Sequence, residues 1–325
     1  MTRRPADLSQ QERQVRVAAI DCGTNSIRLL IADIDPERAG LTDIAREMRI
    51  VRLGEGVDRT GRLSETALDR TIGALREYTD LINQAAPQAV RMVATSATRD
   101  AENSQEFADR VKEVLGVVPE VVSGDEEARL SFTGATRELA GTAAGDCPPP
   151  YLVTDIGGGS TEFVLGGPEG VSGGRSVDIG CVRMTERHLH GDPPSAAEVA
   201  AATADIDNAL ALVAASVPVD QAKTLVGLAG SVTTIAGIAL GLAHYDPTRI
   251  HHSRVSAERV HEITGQLLGQ TRTQRAAIGV MHPGRVDILG AGALVLDRIM
   301  IRLRFGAVLV SEHDILDGIA WSLVP

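Results

Sequence analysis

The stretch Val153–Val164, VTDIGGGSTEFV, reads as a strand, a glycine turn and a second strand. Val153 and Ile156 bracket a carboxylate, Asp155, at the end of the first strand. Gly157, Gly158 and Gly159 carry no Cβ, so a ligand can touch the backbone there. Successive N–H groups in such a turn form an anion-binding concavity. Ser160 and Thr161 add hydroxyl donors, and Glu162 supplies a second carboxylate just past the turn. Glycines, hydroxyls and two carboxylates suit a metal-assisted phosphate site. They equally suit a tight hairpin with exposed acids.

A second stretch has the same design. Val15–Ile31, VRVAAIDCGTNSIRLLI, is a hydrophobic strand ending in Asp21, then Gly23, then Thr24, Asn25 and Ser26, then another strand. Neither stretch continues into Gly-Lys-Ser/Thr, so neither is a Walker A loop. Neither leads into a helix as a dinucleotide-binding loop does. Two such loops facing each other across a cleft would grip one phosphate chain from both sides.

Six blocks then align in order with one family. DCGTNSIRLL (from Asp21), RLGEGVDRTGRLSE (from Arg52), ATSATRDAEN (from Ala94), SGDEEARL (from Ser123), DIGGGSTE (from Asp155) and IGCVRMTER (from Ile179) resemble the exopolyphosphatase and guanosine pentaphosphate phosphatase family, Ppx/GppA. Thr24 stands where that family more often has Ser. The resemblance spans the chain after Arg16 and places it in the actin-like ATPase superfamily. It implies an α/β fold of two ribonuclease-H-like domains with an interdomain active-site cleft. Domain I is expected at 15–126 plus 305–325, domain II at 127–304, and residues 1–14 as a disordered leader. The implied reaction is metal-assisted hydrolysis of the terminal phosphoanhydride of inorganic polyphosphate or pppGpp. A homodimer is implied as well. Longer family members carry a further helical region of the HD type, for which 325 residues leave no room.

The resemblance also assigns roles. The phosphate clamp is Gly23, Thr24, Asn25, Gly157, Gly158, Gly159, Ser160 and Thr161. The second glutamate of SGDEEARL, Glu127, matches the general base, with Glu126 as the other candidate. Two adjacent helical glutamates point about 100° apart, so only one faces a given cleft. Arg99 follows a strand-end block and is expected on the phosphate. Arg28 is either a second such group or half of a structural ion pair. Asp155 and Glu162 would hold Mg²⁺, with Asp21 as a further ligand or a loop anchor. Gly230–Ser231, between a strand and a helix, is either a nucleotide contact or a helix cap. Arg175, Arg183, Arg254 and Arg285 are either lining for a polyanion path or solvated arginines.

Composition narrows the class. With 32 basic and 43 acidic residues the net charge is −11, which argues against nonspecific nucleic-acid binding. It does not exclude a polyphosphate ligand, since a bound cation offsets the field. Cys22, Cys147 and Cys181 make no disulfide framework and no zinc spacing. The eight histidines show no metal signature and read as surface or ion-pair groups. Met1–Gln14 is polar with no apolar core segment, and no run resembles a membrane helix, so a cytoplasmic protein is expected. A non-catalytic (p)ppGpp sensor and an actin-like kinase or ATPase are the alternative readings.

Overall fold

The computed structural model describes residues 14–38, 40–137, 139 and 147–324. The expected leader therefore lies outside the described residues except for Gln14.

The chain builds two sheets of the same plan. In the first, β1 (Val15–Cys22), β2 (Ser26–Asp35) and β3 (Gly40–Ile50) form an antiparallel meander. β4 (Ala89–Ala94) and β5 (Glu120–Val121) extend it in parallel on the other side of β1, giving the order 3-2-1-4-5. In the second, β6 (Tyr151–Ile156), β7 (Thr161–Gly167) and β8 (Gly170–Val177) form the meander. β9 (Thr224–Leu228) runs parallel to β6, and β11 (Ala307–Val310) parallel to β9. β10 (Arg254–Ser256) adds an antiparallel edge. Each sheet repeats the ribonuclease-H-like order, so the expected two-sheet α/β fold is borne out.

Strand alternation divides each sheet between two cores. Ala18, Ile20 and Cys22 face Leu68, Leu75 and Tyr78 of the Glu65–Ala85 helix. Val17 and Ala19 face Ile315, Leu316 and Ile319 of the closing helix, Ile315–Trp321. In the second sheet Leu152, Phe163 and Leu165 face the larger helical core, while Val153, Val164 and Val226 face Ala128 and Phe132. These last two belong to the helix Gly124–Thr136, which begins at an N-cap: the Ser123 hydroxyl accepts from the Glu126 N–H.

That helix links the two halves. Leu130 on one side joins the core of the first sheet, and Phe132 joins that of the second. The closing helix crosses it backbone to backbone: a Cβ on Gly134 would lie 1.8 Å from the Asp314 carbonyl oxygen, and one on Gly318 1.9 Å from that of Leu130.

The expected domain limits need correcting in two places. The 126/127 boundary cuts through the linking helix, whose hydrogen-bonded turns continue across it. The segment 305–325 does not return to the first domain as a unit. β11 pairs with β9, Val308 opposite Leu225, and so belongs to the second sheet; only the closing helix packs on the first. Membrane-length apolarity needs correcting too. The Ala196–Ser216 helix is long and apolar enough to cross a membrane. Ala202, Ile206, Leu210 and Val213 bury one face of it in the second core, and Asp207 pairs with Arg298 at 2.8 Å.

Candidate active site

Both glycine loops lie at the carboxyl ends of the first strands of their sheets. In the first, Gly23 N–H donates to the Ser26 carbonyl at 2.9 Å and closes the turn. The RLGEG block holds it from outside: Val51 and Arg52 donate to the Asn25 carbonyl, and Gly54 to that of Thr24. In the second, the carbonyls of Gly157 and Gly158 accept from Cys181 and Val182 N–H, each at 2.9 Å, and that of Gly159 from Gly180 at 3.2 Å. The start of the Cys181–His188 helix thus takes up the loop carbonyls.

The loops touch. A Cβ on Gly158 would lie 2.8 Å from Thr24 Cβ, and one on Gly159 2.5 Å from Ser96 Oγ. The glycines are required by this approach of one domain to the other. Thr24 Oγ1 and Ser96 Oγ are 3.0 Å apart. Between the loops lies a narrow cavity of about 90 Å³, lined by Gly23, Thr24, Asn25, Gly157, Gly158 and Ser160 and by the carboxylates Asp21, Glu127 and Asp155.

Gly159, Thr161, Glu162 and Arg99, expected in the site, are not on this wall. Gly159 packs under Ser96. Thr161 Oγ1 donates to the Ile179 carbonyl at 3.2 Å. Glu162 is buried opposite Asp155 in the β6–β7 register and accepts from Ser176 Oγ at 2.7 Å. Arg99 donates to the Val122 carbonyl at 3.0 Å and to Glu127 Oε2 at 3.1 Å, so it contacts the carboxylate rather than the cavity. Of the paired glutamates, Glu127 is buried on the wall, and Glu126 looks outward to Arg91 at 3.8 Å.

Arg28 bridges Asp21, at 2.7 Å, and Asp314. Arg183 is an ion-pair centre, not a channel residue: it binds Asp58 at 2.6 Å and Asp100, and its Nε donates to the Gly159 carbonyl at 2.7 Å. Arg175 is exposed on the edge strand β8 and Arg254 lies on β10, both off the cavity wall, whereas Arg285 is on it.

Sequence reasoning missed Ser131 and Asp314. Ser131 Oγ donates to Asp155 Oδ2 at 2.7 Å. Its spacing of four from Glu127 puts both on one face of the linking helix, a signal that was available. Asp314 caps the closing helix through the Leu316 N–H and reaches Arg28 from there. No local pattern distinguishes such a cap from any other.

The electrostatics are those of crowded buried acids. Burial, then the nearby Glu162, raises Glu127 well above the ordinary glutamate value, and Arg99 opposes this. Burial pushes Asp155 up to about 7, helped by Asp314 and Glu162. Burial also raises Asp21, against Arg28. Low-dielectric surroundings disfavour the charged form of each. Asp21 Oδ1 is buried with no hydrogen-bond partner. Among the described residues no three His, Cys, Asp or Glu side chains gather as a metal cage. Asp21 and Asp155 therefore fit a hard cation held by one or two carboxylates and otherwise by water and phosphate oxygens, the usual habit of Mg²⁺. Glu162, the register partner of Asp155, accepts from Ser176 and does not line the cavity itself.

Comparison with known proteins places this geometry. Residues 30–325 match the Ppx/GppA phosphatase family. Exopolyphosphatase 2 of Mycobacterium tuberculosis is 50% identical over 319 residues, 95% of this chain and 98% of that protein. The guanosine-5'-triphosphate,3'-diphosphate pyrophosphatase of Aeromonas salmonicida is 30% identical over 94% of this chain and 59% of its own length. A crystal structure of an exopolyphosphatase-like protein, 41% identical, superposes with a TM-score of 0.91 over 96% of this chain and 98% of the other. With paired glycine loops, a buried glutamate between them and this extent of match, the chain belongs to the Ppx/GppA phosphatase family.

Proposed function

We propose that this chain hydrolyses the terminal phosphoanhydride of a phosphate chain, either inorganic polyphosphate or pppGpp, and releases orthophosphate. The observation that carries the reading is the position of Glu127: a buried carboxylate, held by Arg99, on the same cavity wall as both glycine loops.

The loops bind the terminal phosphate through Thr24, Asn25, Ser160 and backbone N–H groups. Asp155 and Asp21 would hold the divalent cation, Mg²⁺ in this reading. When bound, the ion offsets phosphate charge and polarises the phosphoryl oxygens. Glu127 orients a water in line with the bridging oxygen and takes its proton. The new P–O bond forms as the P–O–P bond breaks, and the bridging oxygen leaves on the shortened chain. Arg99 positions Glu127 and acts through it. Positioning and charge stabilisation account for most of phosphoryl-transfer catalysis. Family resemblance extends the proposal to a cytoplasmic homodimer, which light scattering of the purified protein tests for assembly.

The test is phosphate release with Mg²⁺ from short polyphosphate, long polyphosphate, pppGpp and ATP in parallel, with Glu127→Gln as control. Release from polyphosphate or pppGpp that disappears in the variant supports the proposal. Binding of pppGpp without release from any substrate overturns it.

A further inference from the structure

The linking helix, Gly124–Thr136, turns one stripe toward the acids of the second sheet. Gly124, Glu127 and Ser131 follow one another along it at spacings of three and four, which puts them on one side. A Cβ on Gly124 would lie 2.6 Å from Ser176 Cβ, so the start of the helix presses against β8. Glu127 lines the narrow cavity. Ser131, fully buried, donates its hydroxyl to Asp155 Oδ2 at 2.7 Å.

A hydroxyl inside a helix can instead donate back to the carbonyl four residues earlier. The other two hydroxyls of this helix do so, Thr133 to Arg129 at 2.9 Å and Thr136 to Phe132 at 2.7 Å. Ser131 leaves its own backbone and reaches across to β6. The neighbouring acid is held in the same way. Glu162 is the register partner of Asp155, and Ser176 on β8 donates to Glu162 Oε1 at 2.7 Å. Each acid of the pair has one oxygen tied by a serine from an adjacent element. For Asp155, which lies on the cavity wall, the bond engages Oδ2 and leaves Oδ1 as the oxygen that can bind a cation. A carboxylate tied at one oxygen presents a single oxygen to a metal. Mg²⁺ takes single oxygens at octahedral corners, about 2.1 Å away. Ca²⁺ takes more oxygens at longer distances and readily accepts both from one carboxylate.

We propose that Ser131 is a positioning residue that holds Asp155 to one-oxygen coordination and so makes the site prefer Mg²⁺ to Ca²⁺. This rests on the reading above, in which Asp155 is a ligand of the divalent cation. Outer hydrogen-bond partners of this kind typically change metal affinity by about ten- to a hundredfold.

The experiment titrates the chelator-treated protein with MgCl₂ and, separately, with CaCl₂. Apparent affinity is read from the rise in melting temperature and from calorimetry, without turnover. Wild type, Ser131→Ala and Ser131→Thr are compared, and the melting curve before metal is added shows that each is folded. The wild type is expected to bind Mg²⁺ more tightly than Ca²⁺. Ser131→Ala releases Oδ2 and should weaken Mg²⁺ by about tenfold or more and Ca²⁺ by much less, so the affinity ratio moves toward Ca²⁺. Ser131→Thr keeps the hydroxyl and should restore the wild-type ratio. Should its added methyl prevent folding, the ratio in Ser131→Ala decides alone. A wild type that binds the two ions equally, or equal losses for both ions in Ser131→Ala, overturns the inference. With phosphate release by the wild type intact, either result leaves the hydrolase reading standing. No response of the wild type to either ion defeats the metal reading on which the inference rests.

Discussion

Arg99 Nη1 lies 3.1 Å from Glu127 Oε2, and the same nitrogen donates to the Val122 carbonyl at 3.0 Å. The arginine ends the short Ser96–Arg99 turn of the first domain, and the glutamate sits on the linking helix. Their contact joins the two domains at the base that the proposed reaction uses. It also sets how much of that base is ionised, because Arg99 is the cation opposing burial and the neighbouring Glu162.

Removing Arg99 should therefore move a pH profile as well as lower a rate. Glu127 acts as carboxylate, and its pKa is already raised, so kcat/KM rises as pH climbs through that value. Without the guanidinium the value climbs further. Arg99→Ala is expected to shift the acid limb of the pH–kcat/KM profile to higher pH. A uniform loss with the limb unmoved would instead mean that Arg99 contacts the phosphate directly.

Glu127→Gln keeps the shape of the side chain and removes its basicity. General-base assistance is worth about a hundred- to ten-thousand-fold, so kcat should fall by that order while KM changes little. Glu126→Gln, on the outward face of the same turn, should leave kcat within about twofold, as expected for a surface change. Steady-state kinetics on the two variants side by side separates the glutamates.

Asp155 offers a test that does not use turnover. Its folded value of about 7 lies above the ordinary 3.8. Between those values the folded protein keeps a proton that the unfolded chain has lost, so this carboxyl destabilises the metal-free fold as pH rises through that window. At about 1.4 kcal/mol per unit, the effect is on the order of 4 kcal/mol at most above pH 7. Asp155→Asn should raise the melting temperature of the metal-free protein at pH 8 and change it little at pH 4. Mg²⁺ should stabilise the wild type at pH 8 and do so less in the variant. Equal stabilisation of both by Mg²⁺ would remove Asp155 from the metal site.

The crossing of the linking and closing helices has no room for a methyl group. Gly318→Ala would place its Cβ 1.9 Å from the Leu130 carbonyl oxygen, which is backbone and cannot swing aside. Overpacking of this kind costs about 1–3 kcal/mol or more. Chemical denaturation should show the loss. Gly265→Ala, a glycine with open space at its Cβ on the Ala257–Gly269 helix, should be neutral or slightly stabilising.

Much of this protein is local and so could be read from the chain. Each strand–acid–glycine–hydroxyl–strand hairpin is complete within 17 residues or fewer, and its two strands form as β1 and β2 or as β6 and β7. Two such hairpins, with the ordered blocks between them, specify the duplicated α/β fold and put Asp21, Asp155 and the glycines at strand ends. Ser64 and Ser123 announce their helices for the same reason, since a cap bonds to a backbone only three residues away. What the chain could not announce depends on pairings across long separations. β11 reads like any short buried strand, and only its register with β9 places it in the second sheet. Arg99 and Arg28 read alike as cations near phosphate loops, yet one meets Glu127 and the other spans Asp21 and Asp314, 286 residues away. Glu162 sits seven residues after Asp155 in sequence, yet the β6–β7 register sets the two side by side on one face of the sheet, with the Ser176 hydroxyl bonded to Glu162. Hydrogen-bond periodicity is written in neighbouring residues; which charge meets which is settled only when the two sheets close on one another.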